Sequence, residues 1–168
     1  VAMNKEALKR GYNFATEHVL ERSFQLQPAD GKRRLLMIGN EAVALGALAA
    51  GCRVMAAYPI TPASEVMEWL QKRLPQFGGV VVQAEDEIAA MTICVGAAFA
   101  SARTMTATSG PGLSLKQEAI GLAHTAEIPV VIVDTQRGGP STGMPTKHEQ
   151  SDLLAMLYGT HGDTPRIV

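Results

Sequence analysis

Residues 104–134 read TMTATSGPGLSLKQEAIGLAHTAEIPVVIVD, and this stretch decides the fold. Residues 104–108 read as a strand that runs into Ser109-Gly110-Pro111-Gly112, a turn signal. Residues 113–126 have helix length. Val130-Val131-Ile132-Val133 is an unbroken apolar run closed by Asp134, the pattern of a strand covered on both faces. A strand, a helix and a second strand in this order imply a parallel pair joined by a right-handed crossover.

The same alternation extends outward in both directions. Upstream, strands are expected at 35–38, 54–58 and 80–83, followed by helices near 40–50, 63–74 and 86–101. Downstream come a loop, a helix near 150–158 and a final strand from Pro165. The expectation is an α/β fold: a doubly wound, mostly parallel sheet with helices on both faces. Ahead of it, residues 4–20 carry Leu8, Tyr12, Ala15 and Val19 at near-helical spacing, and Pro28-Ala29-Asp30-Gly31 is a turn signal. Residues 1–33 therefore read as a helical arm or linker, the tail of a preceding domain, and 34–168 as the domain proper. A start at Val1 and an end at Arg166-Ile167-Val168 read as a piece of a longer chain.

Composition narrows the function classes. Of 168 residues, 46% are hydrophobic and 18% charged, which fits a folded chain rather than a disordered one. The net charge is -1, so no broad positive field exists to draw nucleic acid. That total hides a basic arm, +3 over residues 1–34, ahead of an acidic remainder of -4. No apolar stretch approaches the roughly 20 residues of a membrane span. No leader pattern opens the chain, and a cytoplasmic protein is expected. Two cysteines, Cys52 and Cys94, are too few to hold an iron–sulfur cluster alone. The four histidines lack the spacing of a metal site, and no metal is expected on this chain.

In a parallel sheet of this kind, ligands sit at the carboxyl ends of the strands. Five segments follow apolar runs and should share that edge: Gly39-Asn40-Glu41, Tyr58-Pro59-Ile60-Thr61-Pro62, Glu85-Asp86-Glu87, Thr108-Ser109-Gly110-Pro111-Gly112 and the loop from Asp134 through Arg137 to Pro140. Of the three carboxylates, one suffices to cap a helix, which leaves others free for a ligand. The glycines at 110 and 112 permit close backbone approach. They form neither a P-loop, for which Lys116 is misplaced, nor a dinucleotide fingerprint. Arg137 has the chemistry to clamp a carboxylate, or else to pair at the surface with Glu149 or Asp152. Cys94, within a helix of small residues, reads as a buried, inert thiol.

Together these segments resemble the thiamine diphosphate pyrimidine-binding domain of 2-oxoacid:ferredoxin oxidoreductase alpha subunits, the 2-oxoglutarate type above all. The resemblance rests on Gly39-Asn40-Glu41-Ala42, Tyr58 through Pro62, Glu85 through Ala90, Ala107 through Gly112 and Arg137 through Gly143 with Pro145-Thr146. It implies a glutamate that hydrogen-bonds the cofactor's pyrimidine nitrogen. Family spacing to a helix glycine, Gly96, favours Glu87 over Glu85. It implies that Thr61 and Arg137 contact the oxoacid. Tyr58, Pro59, Ile60, Glu85, Thr108, Ser109, Gly110, Pro111 and Gly112 would line the cofactor pocket.

The implied reaction is oxidative decarboxylation of a 2-oxoacid to an acyl-coenzyme A. A beta subunit would carry the diphosphate half and its Mg2+, since a Gly-Asp-Gly signature with a downstream Asn is missing here. Iron–sulfur clusters would lie on other chains, with ferredoxin or another acceptor taking the electrons. Two further readings compete. One is the pyrimidine domain of a non-oxidative thiamine diphosphate decarboxylase or synthase. The other is a non-enzymatic Rossmann-like binding module.

Overall fold

The computed structural model describes residues 1–19 and 27–162; the strand expected from Pro165 lies outside them. The chain divides into two compact units, Val1–Leu36 and Met37–Val168. The first contains α1, Ala2–His18, which buries no residue and carries an exposed Arg10–Glu6 pair at 2.9 Å.

The second unit holds the sheet. Its strands are β1 (Val54–Ala57), β2 (Val80–Gln83), β3 (Thr104–Thr108) and β4 (Val131–Asp134). All pair parallel, in the order β2-β1-β3-β4, with Val54 opposite both Val80 and Thr104 and Met105 opposite Val131. The helices are α2 (Gly39–Ala49), α3 (Ser64–Gln71), α4 (Glu87–Phe99), α5 (Gly110–Thr125) and α6 (Leu153–Tyr158).

Side-chain alternation along the strands sorts the helices onto two faces. Met55 and Ala57 of β1 join Met105 and Ala107 of β3 in one cluster with Val66 and Leu70 of α3 and Ala44 of α2. On the opposite face Met91 and Val95 of α4 pack with Ala119 and Ala123 of α5, over Val130 and Ile132. This is the doubly wound arrangement expected from the alternation of elements.

Several boundaries depart from expectation, among them the start of α6 at Leu153 rather than near 150. No strand forms at 35–38. An apolar run becomes a strand only where a neighbour supplies its hydrogen-bond ladder. Leu35 and Leu36 have no ladder and stand 80% and 101% exposed. Met37 instead packs on the sheet core, and Ile38 becomes the N-cap of α2. Helix α3 stops at Gln71 rather than continuing to 74. Pro75 cannot donate to the Gln71 carbonyl and would clash with it, so the chain tightens into a 3-10 turn, Leu74–Phe77, closed by Gly78 at φ 72°. Helix α5 begins earlier than expected, at Gly110, because Pro111 in the first turn favours a helix start.

The order of the strands locates the crevice. From β1 the chain leaves through α3 to β2; from β3 it leaves in the opposite direction, through α5 to β4. Neighbouring strands whose connections diverge leave a gap beyond their carboxyl ends, and ligands enter there. That gap lies between β1 and β3.

Candidate functional site at the carboxyl edge of the sheet

Three consecutive carboxylates enter α4, and the structure gives each a different fate. Glu85 is exposed. Asp86 caps the helix, its carboxylate accepting from the Ala89 N–H at 2.7 Å. Glu87 turns inward and is 7% exposed. Among the described residues no donor is hydrogen-bonded to the Glu87 carboxylate. A buried carboxylate without a donor is costly to maintain, so it marks a place where a partner is expected.

The first turn of α5 closes over Glu87. A Cβ at Gly112 would collide with Thr108 Oγ1 and stand 3.0 Å from both Cγ and Oε1 of Glu87. Glycine at 112 is thus required by close approach. One turn further along the same helix, Lys116 is fully buried, and its Nζ has no hydrogen-bond partner. Burial lowers its pKa from 10.5 to about 8, with Glu87, Cys94 and Asp86 pulling it back up, in that order. Cys94 is buried as expected. Desolvation raises its thiol to about 11, and it donates to the Met105 carbonyl at 3.2 Å.

A second group of residues gathers around Arg137, which is 5% exposed. It pairs with neither Glu149 nor Asp152. Its Nη1 donates to the Thr61 carbonyl at 2.8 Å and its Nη2 to Ser141 Oγ at 2.9 Å, while Nε is buried without a partner. Thr61 and Arg137, 76 residues apart, are therefore neighbours. Thr61, Tyr58 and Pro59 are exposed on the rim, whereas Ile60 packs against the core.

A relay of polar contacts joins the two groups. Ser109 Oγ donates to the Thr135 carbonyl at 2.9 Å, and Thr135 Oγ1 to Asn40 Oδ1 at 3.3 Å. Asn40 Nδ2 donates at 2.9 Å to the Pro62 carbonyl and to Glu65 Oε2. The relay brings the start of α2 to the edge, although no strand precedes it. Asn40 and Lys116 were the residues of this edge whose roles sequence reasoning missed. For Lys116 the available signal was a lysine four residues after Gly112, on the same helix face.

Behind this edge Asp152 places its carboxylate against Gly110, where an added Cβ would lie 2.6 Å from Oδ1. Asp134 faces it, with both carboxylate oxygens buried and otherwise unpaired. Two carboxyls can hydrogen-bond only when one holds a proton. Burial, then the Asp152 charge, then that shared bond raise Asp134 from 3.8 to about 6. A raised carboxyl favours folding while it is protonated in both states. That stability is fullest below 3.8 and is lost as pH rises to about 6. Asp134→Asn should remove this pH dependence and stabilise the chain above pH 6 by on the order of 1–3 kcal/mol. Denaturant unfolding at pH 4 and pH 7 measures it; parallel slopes of stability against pH in both proteins would contradict the shared proton.

Comparison with known proteins converges on one group. The family described as "Pyruvate flavodoxin/ferredoxin oxidoreductase, thiamine diP-bdg" matches residues 45–168. A 2-oxoglutarate synthase subunit KorA of Archaeoglobus fulgidus is 53% identical over 133 residues, 79% of this chain and 38% of that protein. A 2-oxoglutarate oxidoreductase subunit KorA of Mycobacterium tuberculosis is 45% identical over 171 residues, 96% of this chain and 26% of that protein. A solved 2-oxoglutarate:ferredoxin oxidoreductase from Magnetococcus marinus, with 2-oxoglutarate, coenzyme A and succinyl-CoA bound, superposes with a TM-score of 0.88. It is 49% identical, covering 98% of this chain and 29% of that one. The chain thus spans well under half the length of these relatives.

Proposed function

This chain belongs to the pyruvate flavodoxin/ferredoxin oxidoreductase thiamine diphosphate-binding family, and from that premise we propose that it forms the pyrimidine-facing half of a thiamine diphosphate site. The whole enzyme would be a 2-oxoacid:ferredoxin oxidoreductase, with this chain in its alpha subunit and 2-oxoglutarate as the oxoacid. The observation that carries the reading is Glu87, a buried carboxylate free of donors, set against a glycine in the crevice of a doubly wound sheet.

The residues fit such a cofactor. Glu87 offers a largely buried acceptor to a ring nitrogen, and Gly112 keeps the wall beside it flat. When bound, thiamine diphosphate supplies the nucleophilic carbon and the electron sink for decarboxylation. Glu87 then holds and shares the proton of the pyrimidine nitrogen, with exposed Glu85 the second candidate. Thr108, Ser109, Gly110, Pro111 and Gly112 form the wall, Tyr58 and Pro59 the rim, and Ile60 backs the rim from the core. Thr61 and Arg137 orient the oxoacid, Arg137 through its planar guanidinium.

The remaining parts would come from other polypeptides or domains. A beta subunit would bind the diphosphate and Mg2+. Iron–sulfur clusters elsewhere would pass electrons to ferredoxin, because the two cysteines here are too few to hold a cluster alone. Coenzyme A would take up the acyl group. With coenzyme A and ferredoxin as co-reactants, the reaction belongs in the cytoplasm. Among the described residues no helix is long and apolar enough to cross a membrane.

Expressed alone, the chain should turn over no 2-oxoglutarate. Assembled with a beta-type partner, it should reduce an acceptor in step with 2-oxoglutarate and coenzyme A consumption. Turnover by the isolated chain would refute the half-site reading. Aldehyde release from the complex without an acceptor would favour a non-oxidative decarboxylase instead.

A further inference from the structure

We propose that Lys116 is the buried counter-charge of Glu87, a positioning residue that holds that carboxylate in place at the wall of the crevice. The inference rests on the reading of Glu87 as the group that meets the cofactor.

The geometry starts from α5. Gly112 and Lys116 are four residues apart and share one helix face. Gly112 faces Glu87 directly. Helical side chains lean toward the N-terminus, so the Lys116 stem runs back over the face that Gly112 leaves flat. Its ammonium is fully buried and makes no hydrogen bond. An ammonium so placed must have an opposite charge near it or lose its proton.

Three titratable groups act on it, all from α4: Glu87, Cys94 and Asp86. Cys94 is a neutral thiol that donates to the Ala56 and Met105 carbonyls. Asp86 is exposed and engaged as the helix cap. Glu87 alone is both buried and free. Glu87 also retains some surface, 7%, whereas Lys116 has none. A ligand entering the crevice therefore touches Glu87 and not Lys116. A positive charge on the inner side attracts the carboxylate and fixes its position at the wall of the crevice.

The test uses the assembled complex with Lys116→Met, Lys116→Arg, Glu87→Gln and the Lys116→Met/Glu87→Gln pair. The readouts are thiamine diphosphate affinity against pH by calorimetry, hydrogen–deuterium exchange at the thiazolium carbon by NMR, and melting of the cofactor-free complex. Lys116→Met should weaken affinity and exchange about tenfold near neutral pH. It should melt no higher than the parent, because the Glu87 carboxylate is left buried without its counter-charge. The parent protein should lose affinity as pH passes about 8, and Lys116→Arg, which stays charged, should not. In the Glu87→Gln background Lys116→Met should change neither affinity nor exchange. A parent-like pH profile in Lys116→Met, or an equal loss in both backgrounds, overturns the role of Lys116. Glu87 keeps its role in either case so long as Glu87→Gln alone stops exchange. Normal exchange in Glu87→Gln overturns both.

Discussion

Thiamine diphosphate bound to an assembled complex carrying Glu87→Ala should show no measurable hydrogen exchange at its thiazolium carbon, a fall of about 10²–10⁴-fold. The size follows from the lack of any substitute. Asp86 is committed to the Ala89 N–H, and Glu85 is exposed. The fold should survive, because the α4 cap belongs to Asp86 and remains in place. Circular dichroism of the variant should therefore match the parent. Glu85→Ala is the control: an exposed carboxylate on the rim should be replaceable with little loss. Exchange at the parental rate in Glu87→Ala would remove it from the role. Loss in Glu85→Ala instead would transfer the role to the outer carboxylate.

The sharpness of that prediction comes from the fold, because in the sequence only the family spacing to Gly96 separates the three adjacent acids. Which one turns inward depends on the phase at which α4 begins. Asp86 adopts an extended backbone and caps; the next residue is the first on the helix and faces α5. Strand β3 and its glycine turn were legible, because a short strand flanked by a turn and a long helix reads locally. The 35–38 run was misread for the complementary reason. Apolar character is local, but a ladder partner is not. Pro75 was available as a stop signal for α3, and its effect on the Gln71 carbonyl follows from elementary sterics.

Distance along the chain set the other limit. The Ser109, Thr135, Asn40 and Pro62 relay joins four segments that no periodicity connects. Lys116 was visible as a lysine that fits no phosphate loop. Its burial became evident only once α5 packed on α4, with Gly112 opening the space between them.

Arg137→Ala should raise the KM for 2-oxoglutarate by the equivalent of about 2–4 kcal/mol, the cost of removing one partner of a buried charge pair. Cofactor affinity should change far less. The guanidinium sits in a buried position with Nε–H free, and two of its bonds are already spent on Thr61 and Ser141. The arrangement separates two contributions. Binding of the substrate carboxylate needs the planar fork, whereas anchoring the Thr61 loop needs only a donor. Arg137→Lys should therefore keep the loop in place yet still bind the oxoacid poorly, since an ammonium cannot reproduce the fork. Ser141→Ala removes one brace without touching the charge and should raise KM only a few-fold. If Arg137→Ala leaves KM unchanged while weakening the cofactor site, the residue is a brace for the 58–62 loop. The carboxylate of the oxoacid must then be held by another residue.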